Sequence, residues 1–259
     1  MNKSTRPALR GIALASALAA LLACAAAPSV AGPWSWGGER VEGSGSIKRQ
    51  ARQVAHFTGV SLEVPGKLEL RMGDSEGLTI ETDDNLLPLV ETVVENGTLK
   101  IRPSKRKLNL QTKNLKIVVN ARRIERLALG GSGSIVADAL RAPRLEVDLG
   151  GSGDITVRGL ESEAVSVNLG GSGDFTAKGG KTRTLAVAIG GSGSVDVGQV
   201  QADRVSVSMG GSGEATVWAR QELSTTIAGS GDVNYYGDPR VSRSVVGSGD
   251  VRRLAAAPR

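Results

Sequence analysis

Leu145-Glu146-Val147-Asp148-Leu149-Gly150-Gly151-Ser152-Gly153-Asp154-Ile155-Thr156-Val157 is the stretch whose reading decides the fold. On either side of the glycines, apolar and polar residues alternate, as they do in a strand with one buried face. The tetrapeptide Gly-Gly-Ser-Gly starts at Gly130, Gly150, Gly170, Gly190 and Gly210, a period of 20 residues. Shorter copies follow at Gly229 and Gly247, 18 apart. Fixed periods of this length mark a solenoid, propeller or array. The corner set is Gly131, Ser132, Gly133; Gly151, Ser152, Gly153; Gly171, Ser172, Gly173; Gly191, Ser192, Gly193; Gly211, Ser212, Gly213; Gly229, Ser230, Gly231; and Gly247, Ser248, Gly249.

Down the repeats, equivalent positions form columns. Leu129, Leu149, Leu169, Ile189 and Met209 make one. Leu127, Val147, Val167, Val187 and Val207 make a second, and Ile135, Ile155, Phe175, Val195 and Ala215 a third. The columns between them, such as Glu146, Ser166, Ala186 and Ser206, are small or polar. Leu160 reads as part of a short polar connection. A β-meander with hairpin turns would set equivalent residues two strands apart, out of contact. In a parallel solenoid they stack at about 4.8 Å, and near-identity of the turn favours that fold. Seven coils would span roughly 30 Å at that spacing. The serines are expected to form a hydrogen-bonded ladder at one corner, with the glycines supplying positive φ.

Composition agrees with a repeating β architecture. The chain has 35 glycines and only 3% aromatics among 259 residues. Small aliphatics in rows can fill a narrow interior without large rings. The expected fold is therefore all-β: a parallel β-solenoid (β-helix) with coils of about 20 residues, capped by a strand-rich N-terminal region. Within that region Val60-Ser61-Leu62-Glu63-Val64, Lys67-Leu68-Glu69-Leu70-Arg71 and Leu78-Thr79-Ile80-Glu81-Thr82 read as strands. Asn96-Gly97 is a hairpin signal, and Asp84-Asn85-Leu86-Leu87-Pro88 suggests a helical turn. A cover at that end is needed, since a bare terminal coil offers unpaired backbone.

The N-terminus reads as a secretory signal peptide: Lys3, Arg6 and Arg10, an uncharged apolar run from Ile12 to Ala23, then small residues. Ser29-Val30-Ala31 offers a cleavage site that releases a chain beginning at Gly32. The alternative is Leu21-Leu22-Ala23-Cys24, which resembles a lipoprotein box with Cys24 as the lipidated residue; Leu22 is an unusual side chain there, which favours the first site. The division expected is signal peptide 1–31, flexible leading segment 32–45, strand-rich part 46–122, Gly-Ser-Gly solenoid 123–252 and tail 253–259. Cys24 is the only cysteine, so no intramolecular disulfide is expected. Of the net charge of +6, three units belong to Lys3, Arg6 and Arg10, leaving +3 after cleavage.

Glu42-Gly43-Ser44-Gly45, Phe57-Thr58-Gly59-Val60, Glu81-Thr82-Asp83-Asp84-Asn85-Leu86-Leu87-Pro88 and Glu95-Asn96-Gly97-Thr98-Leu99, followed by the repeats, resemble the putative auto-transporter adhesin head, or head GIN domain, family. The resemblance runs over residues 41–252. It implies an extracytoplasmic β-helical domain of unknown function; no membrane barrel follows the repeats here, so it speaks for fold more than for role.

Site chemistry points away from catalysis. His56 is the one histidine, and a lone histidine is more often structural. Ser-His-Asp and Cys-His machinery lacks its parts, and a Gly-Ser-Gly that recurs seven times is not a nucleophile elbow. Polysaccharide lyases built on β-helices cluster acids and bases on one outer face, whereas the outward columns here are mostly Ser, Thr, Asn and Ala. Asp154, Asp174, Glu214, Asp232 and Asp250 follow the turns, with Ser134 and Ser194 interrupting. Calcium-binding β-rolls use a nine-residue period with the acid one place later, so these acids are expected to bond backbone N–H groups in the turn, with no metal or cofactor. Lys105-Arg106-Lys107 reads as a solvated loop, without the aromatic interleaving of a nucleic-acid stripe. The expected role is a non-enzymatic structural or adhesin-like interaction module, periplasmic or on the envelope, facing an unknown envelope protein or surface. Membrane contact is expected only if Cys24 is lipidated, as in an outer-membrane lipoprotein. The alternative is a small-ligand or glycan-binding module, for which Trp218, Tyr235 and Tyr236 are the aromatics in the repeats; a polysaccharide-acting enzyme comes last.

Overall fold

A 20-residue period places each residue beside its counterpart one coil away. Leu145 lies against Val165, Val147 against Val167 and Leu149 against Leu169, all in parallel. The register continues through Leu185, Val187 and Ile189 to Val205, Val207 and Met209. The computed structural model describes residues 39–254. Residues 1–31, with Cys24 and the cleavage site, lie outside them, as does the leading segment as far as residue 38. Within those described, the Gly-Ser-Gly repeats form a parallel β-solenoid of about 6 turns.

Each turn carries three strand segments. In the coil of Ser134–Leu149, residues 134–137 pair with 154–157, 139–142 with 159–162, and 144–149 with 164–169. The segments define three faces: the first (145–149 and its equivalents), the second (134–137) and the third (139–142). Leu140 and Leu160 stack on the third face at 1–2% exposure. Leu160 thus belongs to a strand and not to a polar connection, because the chain needs a third wall to close its interior. All three columns read from the repeats are buried. Each buried aliphatic side chain of this size contributes roughly 1.5–3 kcal/mol.

The corner departs from expectation in two respects. Its ladder runs through backbone: the N–H of Ser152 donates to the carbonyl of Gly131 at 3.0 Å, and Ser172 does the same to Gly151 at 3.0 Å. The serine side chains face solvent. Nor does positive φ account for most of the glycines; at the corners it occurs only at Gly211, Gly229 and Gly247. Close approach is the reason: a Cβ on Gly151 would strike the carbonyl oxygen of Gly131, and one on Gly171 that of Gly151. The coils touch backbone to backbone at this corner.

The 18-residue spacing arises at the bends. Asp196 pairs with Thr216, but the next matched pair is Gln201 with Trp218, so the later coil is three residues shorter there. It regains one between Ala202–Ala219 and Arg204–Glu222.

Two rungs of the solenoid come from the N-terminal part, in an order that sequence does not follow. Gly59–Leu62 and Lys67–Met72 form a coil directly against Arg126–Leu129 and residues 134–137. Thr98–Pro103 and Lys116–Ala121, though later in sequence, stack on its far side. Antiparallel strands close the end: Val90–Glu95 against Thr98–Pro103, and Gly77–Asp83 against Lys116–Ala121, with Ile47–Arg52 beyond. The hairpin turns at Asn96 (φ 51°) and Gly97 (φ 72°), the left-handed pair of a two-residue loop. Leu87–Leu89 is a short 3-10 turn. Arg52 donates to the carbonyls of Val90 (2.6 Å) and Leu87 (2.8 Å) and to Thr92 Oγ1 (3.2 Å).

A polar clamp fastens the outermost segment. Asp83, 2% exposed, accepts from Thr112 Oγ1 at 2.6 Å and from the Gly45 N–H at 2.7 Å. Ser44 donates through Oγ to Asp84 at 2.5 Å and through N–H to Asn85 Oδ1 at 3.0 Å. Asn85 Nδ2 returns to the Glu42 carbonyl at 2.8 Å. A Cβ on Gly43 would collide with the Asp83 carboxylate.

Candidate binding groove

Along the edge of the first face, where strands enter from the third, runs a groove of about 900 Å³. It starts at Thr58 and the Asn96-Gly97 turn and ends at Arg240 and Ser242. Nine parallel rungs border it, which at about 4.8 Å each gives a length of roughly 38 Å. It therefore crosses the strands at right angles.

Alternation builds it. Leu145, Val165, Leu185, Val205 and Leu223 turn inward and form the floor, each 1–3% exposed. The residues before and after them stand outward as walls. One wall is Arg144, Ala164, Thr184, Arg204, Glu222 and Arg240; the other is Glu146, Ser166, Ala186, Ser206, Ser224 and Ser242. The middle coils carry small side chains and the ends carry charge. Arg126 spans to Glu146 at 2.6 Å and to Asp148 at 3.5 Å. The Glu146 contact, then burial working against it, holds the Arg126 guanidinium above its ordinary pKa.

Other candidate residues lie elsewhere and do not converge. The ring of His56 sits 68% exposed, Nδ1 at 2.7 Å from Glu76 Oε1. Lys105, Arg106 and Lys107 are exposed in a loop. The acids after the turns line the second face and bond mostly across coils, not within their own turns. Asp174 accepts from the N–H and Oγ of Ser194 at 3.0 and 2.6 Å, and Asp232 from the Asp250 N–H at 2.9 Å. Glu214 accepts from Asn234 at 2.8 Å. Asp250 also takes the Val251 N–H at 2.7 Å and pairs with Arg252, which together hold its carboxyl below the usual range, the arginine foremost. Among the described residues no three His, Cys, Asp or Glu side chains gather as metal ligands. No described helix is long and apolar enough to cross a membrane. Trp218 and Tyr236 are neighbours on adjacent rungs, half-buried near the C-terminal end.

The groove is absent from the sequence reading, which followed the inward columns. Its signal was present one position earlier, in the period-20 series Arg144, Ala164, Thr184, Arg204.

The family model described as "Putative auto-transporter adhesin, head GIN domain" matches residues 56–239. No curated protein matches the chain. Among solved structures, a putative adhesin from Bacteroides fragilis superposes with a TM-score of 0.78 at 22% identity, over 83% of this chain and 100% of that one. A putative lipid binding protein from Parabacteroides distasonis gives 0.71 at 26% identity, over 83% and 100%. A putative adhesin from Parabacteroides merdae gives 0.67 at 20%, over 84% and 100%.

Proposed function

Since the chain belongs to the putative auto-transporter adhesin head GIN domain family, we propose that it is a non-enzymatic, exported interaction module of the bacterial envelope, holding an extended partner in the groove along its first face. The groove is the observation that carries this reading: it is long, it is floored by Leu145, Val165, Leu185, Val205 and Leu223 over five successive coils, and a regular stack produces such a feature without any one coil being special. The family description and the adhesin neighbours support a surface-facing role. The apolar floor favours a second reading, a small-ligand module, which the neighbour described as lipid binding also supports.

Export rests on residues 1–31, and mass spectrometry of the N-terminus distinguishes release at Gly32 from a diacylated Cys24. For the groove, the test is saturable binding of the purified chain to envelope vesicles from its own source, compared with Ala186→Trp. Ala186 is exposed on the groove wall, so the variant fills the groove and leaves the interior intact. Loss of binding is expected; equal binding by both proteins would refute the groove.

A further inference from the structure

We propose that the groove takes an anionic amphiphile, a single acyl chain bearing a phosphate-type head, with the chain over the middle coils and the head at Arg204 and Arg240. This rests on the groove being the binding site.

The direction of the groove excludes the commonest use of a β surface. A peptide added to a sheet edge lies along a strand and pairs with its backbone. Here the groove crosses the strands, and their N–H and C=O groups are already spent in the ladders between coils. A peptide lying in it would meet one hydroxyl or methyl wall residue about every 4.8 Å, leaving most of its own amides unpaired against an apolar floor. An acyl chain has no such groups to satisfy. Ala164, Thr184, Ser166 and Ala186, over Val165 and Leu185, give it an uncharged, small-walled bed across two coils.

Charge gives the occupant a direction. At the N-terminal end Arg126 is committed to Glu146, and Arg144, which has no carboxylate within 4.0 Å among the described residues, is balanced by Glu125, so the two arginines there face two carboxylates. At the other end Arg204, Glu222 and Arg240 occupy successive rungs. Neither arginine there comes within 4.0 Å of a carboxylate among the described residues. Two guanidiniums facing one carboxylate leave a positive end. The two stand on rungs about 10 Å apart, either side of Glu222, and each planar fork can donate two parallel bonds to a phosphate-type head, which a point charge could not.

The test uses the purified chain with palmitoyl-lysophosphatidylglycerol held below its micelle concentration, read by calorimetry. One saturable site per chain is expected. Ala186→Trp should abolish it. Arg204→Glu with Arg240→Glu should weaken it by about tenfold or more in low salt, with little change toward palmitoyl-lysophosphatidylcholine. Inorganic phosphate alone should fail to compete. Circular-dichroism melts of both variants should match the parent, since both alter exposed residues. No saturable site, undiminished binding by Ala186→Trp, or competition by free phosphate would each overturn the proposal, as would tighter binding of an uncharged extended peptide. If vesicle binding is lost in Ala186→Trp while the lysolipid does not bind, the groove stands and the amphiphile falls.

Discussion

Gly170 and Gly171 are adjacent and identical in type, yet the structure assigns them opposite tolerances. A Cβ on Gly170 meets nothing within 4 Å, and its φ is not in the left-handed region. A Cβ on Gly171 would strike the carbonyl oxygen of Gly151. To make room, the coils must separate at the corner, where Ser172 N–H donates to Gly151 at 3.0 Å and Ser192 N–H to Gly171 at 3.1 Å. Weakening one or both of these bonds costs roughly 1–3 kcal/mol for each group left unpaired, so Gly171→Ala should lose about 2–4 kcal/mol. Gly170→Ala should be neutral or gain about 0.4–1 kcal/mol, because alanine restricts the unfolded chain. Urea melts of the two variants, fitted with a common m-value, read the difference directly. Equal losses at the two positions would refute close approach as the reason for the corner glycines and return the argument to backbone conformation.

Val187→Asp and Ala188→Asp test the alternation, since Val187 is 2% exposed and Ala188 faces solvent. The first should lose about 1.5–3 kcal/mol of packing and a further few kcal/mol for an unpaired carboxyl, the second little, and similar urea midpoints would contradict the pleat. Thr225 lies in the valine column beside Val207, its Oγ1 buried with no partner among the described residues; Thr225→Val should raise stability by about 1–2 kcal/mol, and a lower melting temperature would show the hydroxyl to be engaged. The Thr112 hydroxyl, with the Gly45 N–H, holds the Asp83 carboxyl below the usual range against the opposing effect of burial. A depressed folded pKa contributes stability that is complete above the unfolded value and is lost as pH falls through the folded one. Protection factors of residues 39–52, taken relative to the intrinsic exchange rate at each pH, should therefore fall in acid, and Asp83→Asn should show low protection already at neutral pH with a flatter pH response; a variant with the parent's profile would contradict the clamp. Arg243 continues the valine column at its open end, so Arg243→Val should remove a charge that blocks strand addition and increase self-association by light scattering; an unchanged mass would show the end to be closed otherwise.

The parallel stack was legible because a solenoid writes its geometry as a period. Val147, Val167 and Val187 could be aligned by counting, and the pleat then fixed which residues face inward. The third face was less legible, because Leu160 stands near Gly159 and Glu161 with little alternation to mark a strand. The corner ladder was misassigned for a related reason: glycine is required by a positive φ and by a close neighbour alike, and only coordinates separate the two causes. The clamp of Asp83, Asp84 and Asn85 on Gly43-Ser44-Gly45 joins two motifs that the sequence shows 40 residues apart, with nothing in the spacing to pair them. The order of the first two coils was out of reach too, because Thr98–Pro103 stacks outside Gly59–Leu62 against chain order.

What determines the groove is more general than any of its residues. Inward columns are constrained by a shared interior, so they read as uniform aliphatics. Outward columns are free of that constraint and vary in type, from the charged Arg141, Glu161 and Lys181 of the third face to the small Ser166, Ala186 and Ser206 of the first. The wall from Arg144 to Arg240 carries charge at both ends and alanine or threonine between. Packing does not require this distribution, since the backbone ladder of the first face is the same in every coil. This variation of side-chain type along an otherwise invariant backbone ladder therefore belongs to the surface, and Arg204→Glu with Arg240→Glu is the substitution that asks whether a ligand reads it.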